Sequence, residues 1–350
     1  MSHKKALIGL ALVLGLAAPA ADACTRIFYK GAKGYPVIAR SLDWTEDTST
    51  DIWAYPRGMK RDGGIDAGSI RWTSRFGSVT ASLYDMATVD GMNEAGLMGN
   101  MLYLGEAEYD TKEKDKEKAN LPTLSVGAWL QYALDNFATV AEAVKALKEE
   151  PFRVIAPPMP TGDKAGAHLA LSDISGDTAI FEYIGGKLVI HHGRDYGTMT
   201  NSPTFDQQLA INTYWKDVGS TAMLPGTHRA ADRFVRADYY VNAADKYDDT
   251  QKATAAALSV IRAVSVPIGI KDPQKPNIAT TIWRTAADPK AKRYYYESAW
   301  TPSVMWVNIG QLDLSEGTRA RRLALKGHPD LSGDVTGKFV VDGPFPWLTN

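Results

Sequence analysis

Short runs of apolar and alternating residues, interrupted by glycine-rich turns, dominate the first hundred residues after position 23. Residues 25–29 and 35–42 are rich in β-forming side chains and flank a turn at residues 30–34, which is typical of a β-hairpin. If the turn is centred near Ala32, the numbers of paired residues sum to about 65, within a residue or two. Cys24 is then expected opposite Ser41, with Arg40 and Asp43 flanking it.

Helical patterns lie between further predicted strands. Residues 121–136 predict a helix with Pro122 near its start, and Thr139 and Glu142 have the spacing of a capping box before a second helix. Two more helices are predicted, one from residue 224 to residue 240 and one over residues 251–263. The other predicted strands are 51–55, 70–73, 78–84, 86–90, 97–104, 168–172, 179–183, 187–192, 279–284, 293–298 and 305–308. The order is β, α, β, α, β, and no repeat or linker divides residues 24–350, which we interpret as one domain.

The first 23 residues have the three parts of a secretory leader. Lys4 and Lys5 precede an apolar run at residues 6–18, and the small residues Ala21 and Ala23 follow. The apolar run is too short to span a membrane, and no later stretch approaches the roughly 20 apolar residues of a spanning helix. We therefore predict a signal peptide at residues 1–23 that is removed, and a periplasmic or secreted protein without a membrane span.

Composition and charge narrow the classes of partner. The 350 residues are 45% hydrophobic, and 39 Lys and Arg balance 40 Asp and Glu, which does not favour a nucleic-acid partner. The densest charge run, residues 106–118, mixes both signs and is expected to be a solvated loop. His191 and His192 would point to opposite faces of a strand, and the sequence has no other cluster of ligand residues. We therefore expect neither a metal site nor a cofactor.

The chain contains one cysteine, Cys24, directly after the predicted cleavage site. Cleavage there would leave a thiol and a free α-amine on one residue, and their ordinary pKa values of about 8.5 and about 7.7 to 8.0 suit proton exchange near neutral pH. A guanidinium at Arg40 would favour the thiolate, and a carboxylate at Asp43 would orient the amine. Two alternatives remain, namely lipidation of Cys24 and a buried, inert thiol.

Two further residues are candidates by residue type and position. Asn201 precedes a turn that Pro203 helps to fix, and an amide held there could donate a hydrogen bond to a developing oxyanion, although Asn-Ser-Pro turns are common. Trp44 could line a pocket, although large aromatic side chains in β-rich proteins more often belong to the core.

Eight short motifs are spread over nearly the whole of residues 24–350. They are CTR at 24–26, ARSLDW at 39–44, DGMNEAGL at 90–97, TNSPTFD at 200–206, LPG at 224–226, DRF at 232–234, TIW at 281–283 and KRYY at 292–295. Together they resemble the choloylglycine hydrolase and penicillin V acylase family of N-terminal-nucleophile hydrolases. The resemblance implies an α+β fold, a four-layer αββα sandwich with two antiparallel sheets, and hydrolysis of a non-peptide amide.

The resemblance also implies roles for the residues in these motifs. Cys24 would be the nucleophile and, through its α-amine, the base. Asp43 and Arg40 would hold the amine and the thiol, and Arg233 matches the family's late active-site arginine.

The same resemblance implies an oxyanion site and an acyl pocket. The side chain of Asn201 and the backbone N–H of Tyr103 would donate hydrogen bonds to the oxyanion. Trp44 and its aromatic neighbours could hold the phenoxyacetyl or fatty acyl group of a small N-acyl amide. Many relatives are homo-oligomers, so a tetramer is the expected assembly.

Two features bear on the substrate. Tyr103 stands where bile-salt hydrolases usually have Asn, and the connection between Asn201 and Leu224 is shorter than in many Gram-positive relatives. With the leader, these features resemble the Gram-negative, periplasmic branch, whose members cleave penicillin V and long-chain N-acyl homoserine lactones. Hydrolysis of conjugated bile salts is the alternative within the family. A lipid-anchored or secreted binding protein without chemistry is the alternative outside it.

Overall fold

The computed structural model describes residues 24–109, 118–160, 162, 164–219, 222–270 and 279–349. Within these ranges the chain forms two large β-sheets, two small two-stranded sheets and five α-helices. The predicted leader at residues 1–23 and most of the charged run, residues 110–117, lie outside the described residues. None of the helices within these ranges is long and apolar enough to cross a membrane.

The secondary-structure elements are numbered here in chain order. The strands are β1 Thr25–Lys30, β2 Pro36–Trp44, β3 Ile52–Tyr55, β4 Lys60–Asp62, β5 Arg71–Thr73, β6 Ser78–Leu83, β7 Ala87–Asn93, β8 Met98–Tyr103, β9 Thr123–Ser125, β10 Arg153–Ile155, β11 Ala167–Ser172, β12 Thr178–Ile184, β13 Lys187–His192, β14 Met199–Thr200, β15 Thr280–Asp288, β16 Arg293–Ser298, β17 Val304–Asn308, β18 Arg321–Leu323, β19 Gly333–Asp334 and β20 Val340–Val341. The helices are α1 Val126–Asn136, α2 Val140–Leu147, α3 Phe205–Val218, α4 Ala230–Ala243 and α5 Thr250–Val264.

The first large sheet has seven strands in the order β14-β1-β2-β15-β16-β17-β19. Its strands pair antiparallel except at one edge, where β19 runs parallel to β17. The predicted hairpin is confirmed, since Thr25 pairs with Ser41 and Arg26 with Arg40. This register differs by one residue from the expected centre and carries Cys24 toward Leu42. The difference lies within the expected margin and keeps Arg40 and Asp43 near Cys24.

The second large sheet has nine antiparallel strands in the order β13-β12-β11-β8-β7-β6-β3-β18-β20. Residues 93–96 form a turn between the predicted strands 86–90 and 97–104, in which the Asn93 side-chain oxygen accepts hydrogen bonds from the backbone of Ala95 and Leu97. The turn connects β7 to β8, the two strands that bring the second sheet to the active-site residues of the first.

Helices cover the outer face of each sheet. The helices α1 and α2 pack against the second sheet, and α4 and α5 pack against β1 and its neighbours in the first. Alternate residues of β1 divide between two cores, because Phe28 belongs to the large core between the sheets while Ile27 faces α4 and α5. The predicted α+β, four-layer αββα architecture is therefore confirmed.

The structure corrects the starts of two predicted helices and adds one helix that was not predicted. The helix α4 begins at Ala230 rather than at residue 224, because Thr227 N and Oγ1 donate hydrogen bonds to the Asp232 carboxylate ahead of the first turn. The first helix begins at Val126 rather than residue 121, because β9 pairs in parallel with β10 before Ser125 caps the helix through Gly127 N. The helix α3 was not predicted at all. The capping box of α2 is confirmed, since Thr139 Oγ1 accepts from Glu142 N at 3.2 Å.

Candidate active site

Cys24 lies at the start of β1, between the two large sheets, and is only 2% exposed. The pairing of β1 with β2 brings Arg40 and Asp43 to it. The Arg40 Nη2 atom lies 3.7 Å from Cys24 Sγ, and the thiol faces the Asp43 carbonyl oxygen at 3.9 Å. The hairpin therefore assembles a thiol, a guanidinium and a carboxylate from residues close in sequence.

The surroundings of Cys24 keep its thiol protonated. Burial raises the pKa of Cys24, Arg40 opposes this by stabilising the thiolate, and the negative charge of Asp43 raises it further. Arg40 alone does not outweigh burial. A proton acceptor in direct contact with the thiol is therefore required before Cys24 can act as a nucleophile.

Arg40 is fixed by contacts on several sides. Its guanidinium lies 4.9 Å from the centre of the Trp283 ring, and its Nη1 donates to the Val89 carbonyl at 2.6 Å. The Asp90 carboxylate lies 3.7 Å from Nη1 and accepts hydrogen bonds of 2.6 Å from Tyr294 and Asn100. Because these contacts already order the Arg40 side chain, its charge can stabilise a thiolate at Cys24 without any rearrangement.

Asp43 is a buried carboxylate that is only partly satisfied. Its Oδ1 accepts a hydrogen bond from Thr281 Oγ1 at 2.6 Å. Its Oδ2 has no hydrogen-bond partner among the described residues and lies 3.9 Å from Arg233 Nη1. Burial raises the pKa of Asp43 to about 6, although Arg233 opposes the rise. The free oxygen marks a position where a cationic donor would be strongly stabilised.

Arg233, in the first turns of α4, connects the separate parts of the site. Its Nη1 donates to the Cys24 carbonyl at 2.7 Å and also to Thr25 Oγ1, and its Nη2 donates to Asn201 Oδ1 at 3.3 Å. Burial lowers the pKa of Arg233, and Asp43 opposes that shift. The arginine thus fixes the backbone of Cys24 and the orientation of the Asn201 amide.

The side chain of Asn201 contacts the backbone of Tyr103. Asn201 Nδ2 donates to the Tyr103 carbonyl at 2.9 Å, which leaves its second N–H for another acceptor. The backbone of Asn201 is held by Gln208 of α3, whose amide donates to the Asn201 carbonyl at 2.5 Å. Strand β14 fixes the preceding residue, since Thr200 pairs with Thr25.

An apolar cavity of about 660 Å³, open to solvent, lies against Cys24. Trp44 forms part of its wall and contacts Tyr103 edge to face, with ring centroids 6.2 Å apart. Most of the other lining side chains are aliphatic, and they include Leu42, Leu83, Met86, Val89, Met101, Leu102, Val126, Met159 and Leu348. A cavity of this kind suits an apolar acyl group rather than a charged one.

The structure brings all seven sequence-predicted residues to one place. Cys24, Arg40, Trp44 and Tyr103 line the cavity, and Asp43, Arg233 and Asn201 are joined to Cys24 by the contacts described above. Sequence reasoning did not assign the supporting residues Asp90, Thr281, Trp283 and Gln208. The first three lie in motifs of the family resemblance, which was the available signal.

Within the described ranges, no group of three or more His, Cys, Asp or Glu side chains is arranged to hold a metal ion. Of the groups that can take part in chemistry, the Cys24 thiol and the Arg40 guanidinium line the cavity. The Asp43 carboxylate, the Arg233 guanidinium and the Asn201 amide lie behind them and are joined to Cys24 by the contacts described above. This set suits nucleophilic acyl transfer, in which a thiolate attacks a carbonyl and positive or N–H groups stabilise the oxyanion.

Comparison with known proteins agrees with this chemistry. The family model of linear amide C–N hydrolases, choloylglycine hydrolase family, matches residues 24–336. A penicillin V acylase from Pectobacterium atrosepticum is 46% identical, covering 98% of this chain and 96% of the relative.

Solved structures give the same result. Penicillin V acylase from Agrobacterium tumefaciens is 49% identical with a TM-score of 0.86, covering 93% of this chain and all of that one. A mutant of the conjugated bile acid hydrolase from Clostridium perfringens shares the fold, with a TM-score of 0.72 at 20% identity over 86% of this chain and 96% of that one. The chain therefore belongs to the choloylglycine hydrolase family and is an amidohydrolase that cleaves linear, non-peptide amide C–N bonds.

Proposed function

We propose that this protein removes the acyl group from penicillin V and from long-chain N-acyl homoserine lactones, with Cys24 as the nucleophile. The single observation that carries the proposal is the apolar cavity that ends on the Cys24 thiol. Both substrates join an apolar acyl group to a compact polar ring through one amide. The acyl group would occupy the cavity while the ring stays at the solvent-facing mouth.

The catalytic base is the α-amine of Cys24, created when residues 1–23 are removed. Two properties of Asp43 support this step, namely its unpartnered Oδ2 and its raised pKa. An ammonium group on Cys24 would satisfy the oxygen and offset the cost of burying its charge. Such cleavage also requires export, so we propose a periplasmic or secreted location.

The reaction proceeds by acyl transfer. The α-amine takes the thiol proton, and Sγ bonds to the acyl carbon while Arg40 stabilises the developing thiolate. The second N–H of Asn201 and the backbone N–H of Tyr103 donate to the oxyanion. As the C–N bond breaks, the α-ammonium returns the proton to the leaving nitrogen. Water then hydrolyses the thioester, which releases the acid and regenerates Cys24.

Each oxyanion donor is expected to contribute to turnover by stabilising the transition state. Loss of one such donor costs on the order of 10²-fold to 10³-fold in turnover. Arg233 acts on Asn201 through Oδ1, which directs the amide nitrogen away from the guanidinium and toward the Tyr103 backbone. Arg233 is therefore a positioning residue for the oxyanion donor in this mechanism.

The test compares kcat/KM for penicillin V, long-chain N-acyl homoserine lactones, and glycine- and taurine-conjugated bile salts. We expect one of the first two classes to be preferred, and we expect Cys24→Ala to remain folded without measurable turnover. A preference for conjugated bile salts would overturn the substrate assignment. Retained activity in Cys24→Ala would overturn the nucleophile. A lipidated Cys24 terminus, seen by intact mass, would favour an anchored binding protein instead.

A further inference from the structure

The last residues of the described chain, 344–349, are called the C-terminal tail here. The tail is anchored by aromatic side chains, since Phe345 packs edge to face on Trp53 with ring centroids 5.4 Å apart. The Trp347 indole N–H donates to the Asp62 carbonyl at 3.1 Å. Gly64 leaves room for Trp347, because a Cβ atom at Gly64 would lie 2.7 Å from the Trp347 side chain.

A buried ion pair supports the same anchor. The Arg61 guanidinium lies 4.3 Å from the Tyr55 ring centre and 5.6 Å from that of Trp347, and its Nε atom lies 2.9 Å from the Asp135 carboxylate. Stacking on two rings and pairing with a buried carboxylate make this a fixed support rather than a loose surface contact. The tail is therefore part of the folded scaffold.

The anchored tail places Leu348 in the wall of the active-site cavity. Its side chain lines the cavity and is 7% exposed. Its backbone is held on both sides, because its N–H donates to the Met86 carbonyl at 2.8 Å and its carbonyl accepts from Ser125 Oγ at 2.7 Å. Both partners are themselves fixed by neighbouring elements, Met86 at the start of β7 and Ser125 as the cap of α1.

The position of Met86 relative to Val89 locates Leu348 within the cavity. The Val89 carbonyl accepts from Arg40, which contacts Cys24, whereas Met86 lies three residues earlier in the chain. Three residues of extended chain span roughly 10 Å. Leu348 therefore lines the cavity beside the turn that precedes β7, away from the part of β7 that contacts Arg40.

We propose that Leu348 forms the end wall of the acyl pocket and limits the length of the acyl group that the enzyme accepts. The proposal rests on the proposed function, because it assigns the acyl group to this cavity. The tail lies beyond residue 336, where the match to the family model ends. It is therefore a feature of this chain that the family match does not describe.

Two substitutions test the wall in opposite directions. Leu348→Ala removes three carbon atoms while keeping both backbone hydrogen bonds, so the preferred acyl chain lengthens by about two or three methylene groups. Each added methylene that becomes buried raises kcat/KM by about fourfold. Leu348→Phe shortens the pocket and lowers kcat/KM for the longest accepted chain by roughly tenfold. Thr349→Ala, at an exposed neighbour, is the control and keeps the wild-type profile.

A binding measurement separates this proposal from the proposed reaction. Straight-chain fatty acids of increasing length are titrated calorimetrically into Cys24→Ala, with and without Leu348→Ala, and thermal unfolding checks that each variant is folded. We expect the tightest-binding acid to become longer when Leu348 is Ala. If the wild type hydrolyses N-acyl amides but neither the kinetic nor the binding profile shifts, the end-wall proposal is wrong. If the length of the tightest-binding acid shifts but no amide is hydrolysed, the proposed reaction is wrong and the end-wall proposal is supported.

Discussion

The Asp43 carboxylate has a buried oxygen without a hydrogen-bond partner among the described residues, and its charge raises the pKa of the proposed nucleophile, Cys24. Burying an isolated charge costs free energy, and because the ionised form of Asp43 is destabilised in this way its pKa is raised to about 6. In a chain whose Cys24 nitrogen remains in a peptide bond, the cationic groups of the described residues that offset this cost are Arg233, whose Nη1 lies 3.9 Å from Oδ2, and Arg284. Cleavage would free the α-amine of Cys24, which becomes an ammonium when it takes the thiol proton and can then offset the Asp43 charge.

Removal of the buried Asp43 charge by Asp43→Asn should change stability in a pH-dependent way. The folded-state pKa of about 6 exceeds the ordinary 3.8, so the folded state binds the proton more tightly and stability falls as pH rises from 3.8 to about 6. In protein that retains Ala23, Asp43→Asn should raise the free energy of unfolding at neutral pH by up to about 3 kcal/mol. Below the ordinary pKa, that gain should vanish.

The matched control is protein that begins at Cys24, in which the α-amine can take up a proton and so offset the Asp43 charge. The gain from Asp43→Asn should be smaller there. Urea denaturation of both forms at acidic and neutral pH measures the difference. An equal gain in the two forms would show that the amine and the carboxylate do not interact.

At this scale the sequence predicted those residues that are close along the chain. The hairpin register alone brings Arg40 and Asp43 to Cys24, because strand pairing is regular. Arg233 and Asn201 reach Cys24 from distant helices and turns, and no local pattern specifies that approach. The role of Arg233 came from the family resemblance, which also selected Asn201 from a common type of turn, and Asp90 and Thr281 received no role.

The position of the turn that contains Asn201 depends on the contacts made by the N-terminus of α3. Both carboxylate oxygens of Glu182, on β12, lie 3.1 Å from Phe205 N, the first backbone amide of α3. Glu182 also pairs with His168 at 2.9 Å, and His191 lies 3.6 Å from its second oxygen. A negative charge at this helix end is favourable, and it fixes a segment only four residues from Asn201.

Glu182→Gln should therefore weaken both folding and turnover. Burial opposes ionisation of Glu182, but the hydrogen bond from His168 and the nearby His191 ring outweigh it and lower its pKa to about 2. Because this value lies below the ordinary 4.5, the stabilisation is full above pH 4.5 and is lost as pH falls toward about 2. The variant should lose up to about 3 kcal/mol at neutral pH and match the wild type near pH 2.

Denaturant titrations across this pH range, together with kcat, check the prediction. The exposed Glu149→Gln provides a control that should change neither quantity. Wild-type stability of Glu182→Gln at neutral pH would contradict a stabilising ion pair between Glu182 and His168. Unchanged kcat would show that Glu182 does not fix the position of Asn201.

Elements whose positions are set by tertiary contacts were not predicted from the sequence pattern. Only Phe205, Gln208 and Asn212 of α3 are buried, so the helix lacks the apolar stripe that predicts a helix. Its position is fixed by Glu182 and by contacts with α4, which are tertiary. The start of α1 was misplaced for a similar reason, since β9 exists only because β10 pairs with it. Strongly periodic elements such as α5 were predicted to within a residue or two.

For the whole molecule, the active site lies where the two large sheets face each other. Strand β2 brings Arg40 and Asp43 from the first sheet, while β7 and β8 bring Val89 and Tyr103 from the second. Sequence patterns predicted the strands, but the stacking of the sheets came from the resemblance. The C-terminal tail was not anticipated, because Leu348 contacts Met86 and Ser125 across more than two hundred residues.

We predict a homo-oligomer, a tetramer by family resemblance. Near the end of α3, Tyr214 is 63% exposed, Val218 43% and Met223 56%, and such a group of apolar side chains is suited to a subunit contact. Light scattering after size exclusion should give the mass of four chains. Tyr214→Ser combined with Met223→Ser should shift this mass downward, whereas Trp300→Ser, at an exposed site elsewhere, should not. A monomer at every concentration would contradict the prediction.

If the Cys24 α-amine is the catalytic base, blocking that amine must lower activity, and two forms of one protein test this. One form begins at Cys24, and the other retains Ala23 in front of it. With penicillin V or an N-acyl homoserine lactone, we predict that the retained residue lowers kcat/KM by about 10²-fold to 10⁴-fold, because it replaces the amine by an amide. Equal kcat/KM for the two forms would contradict the account.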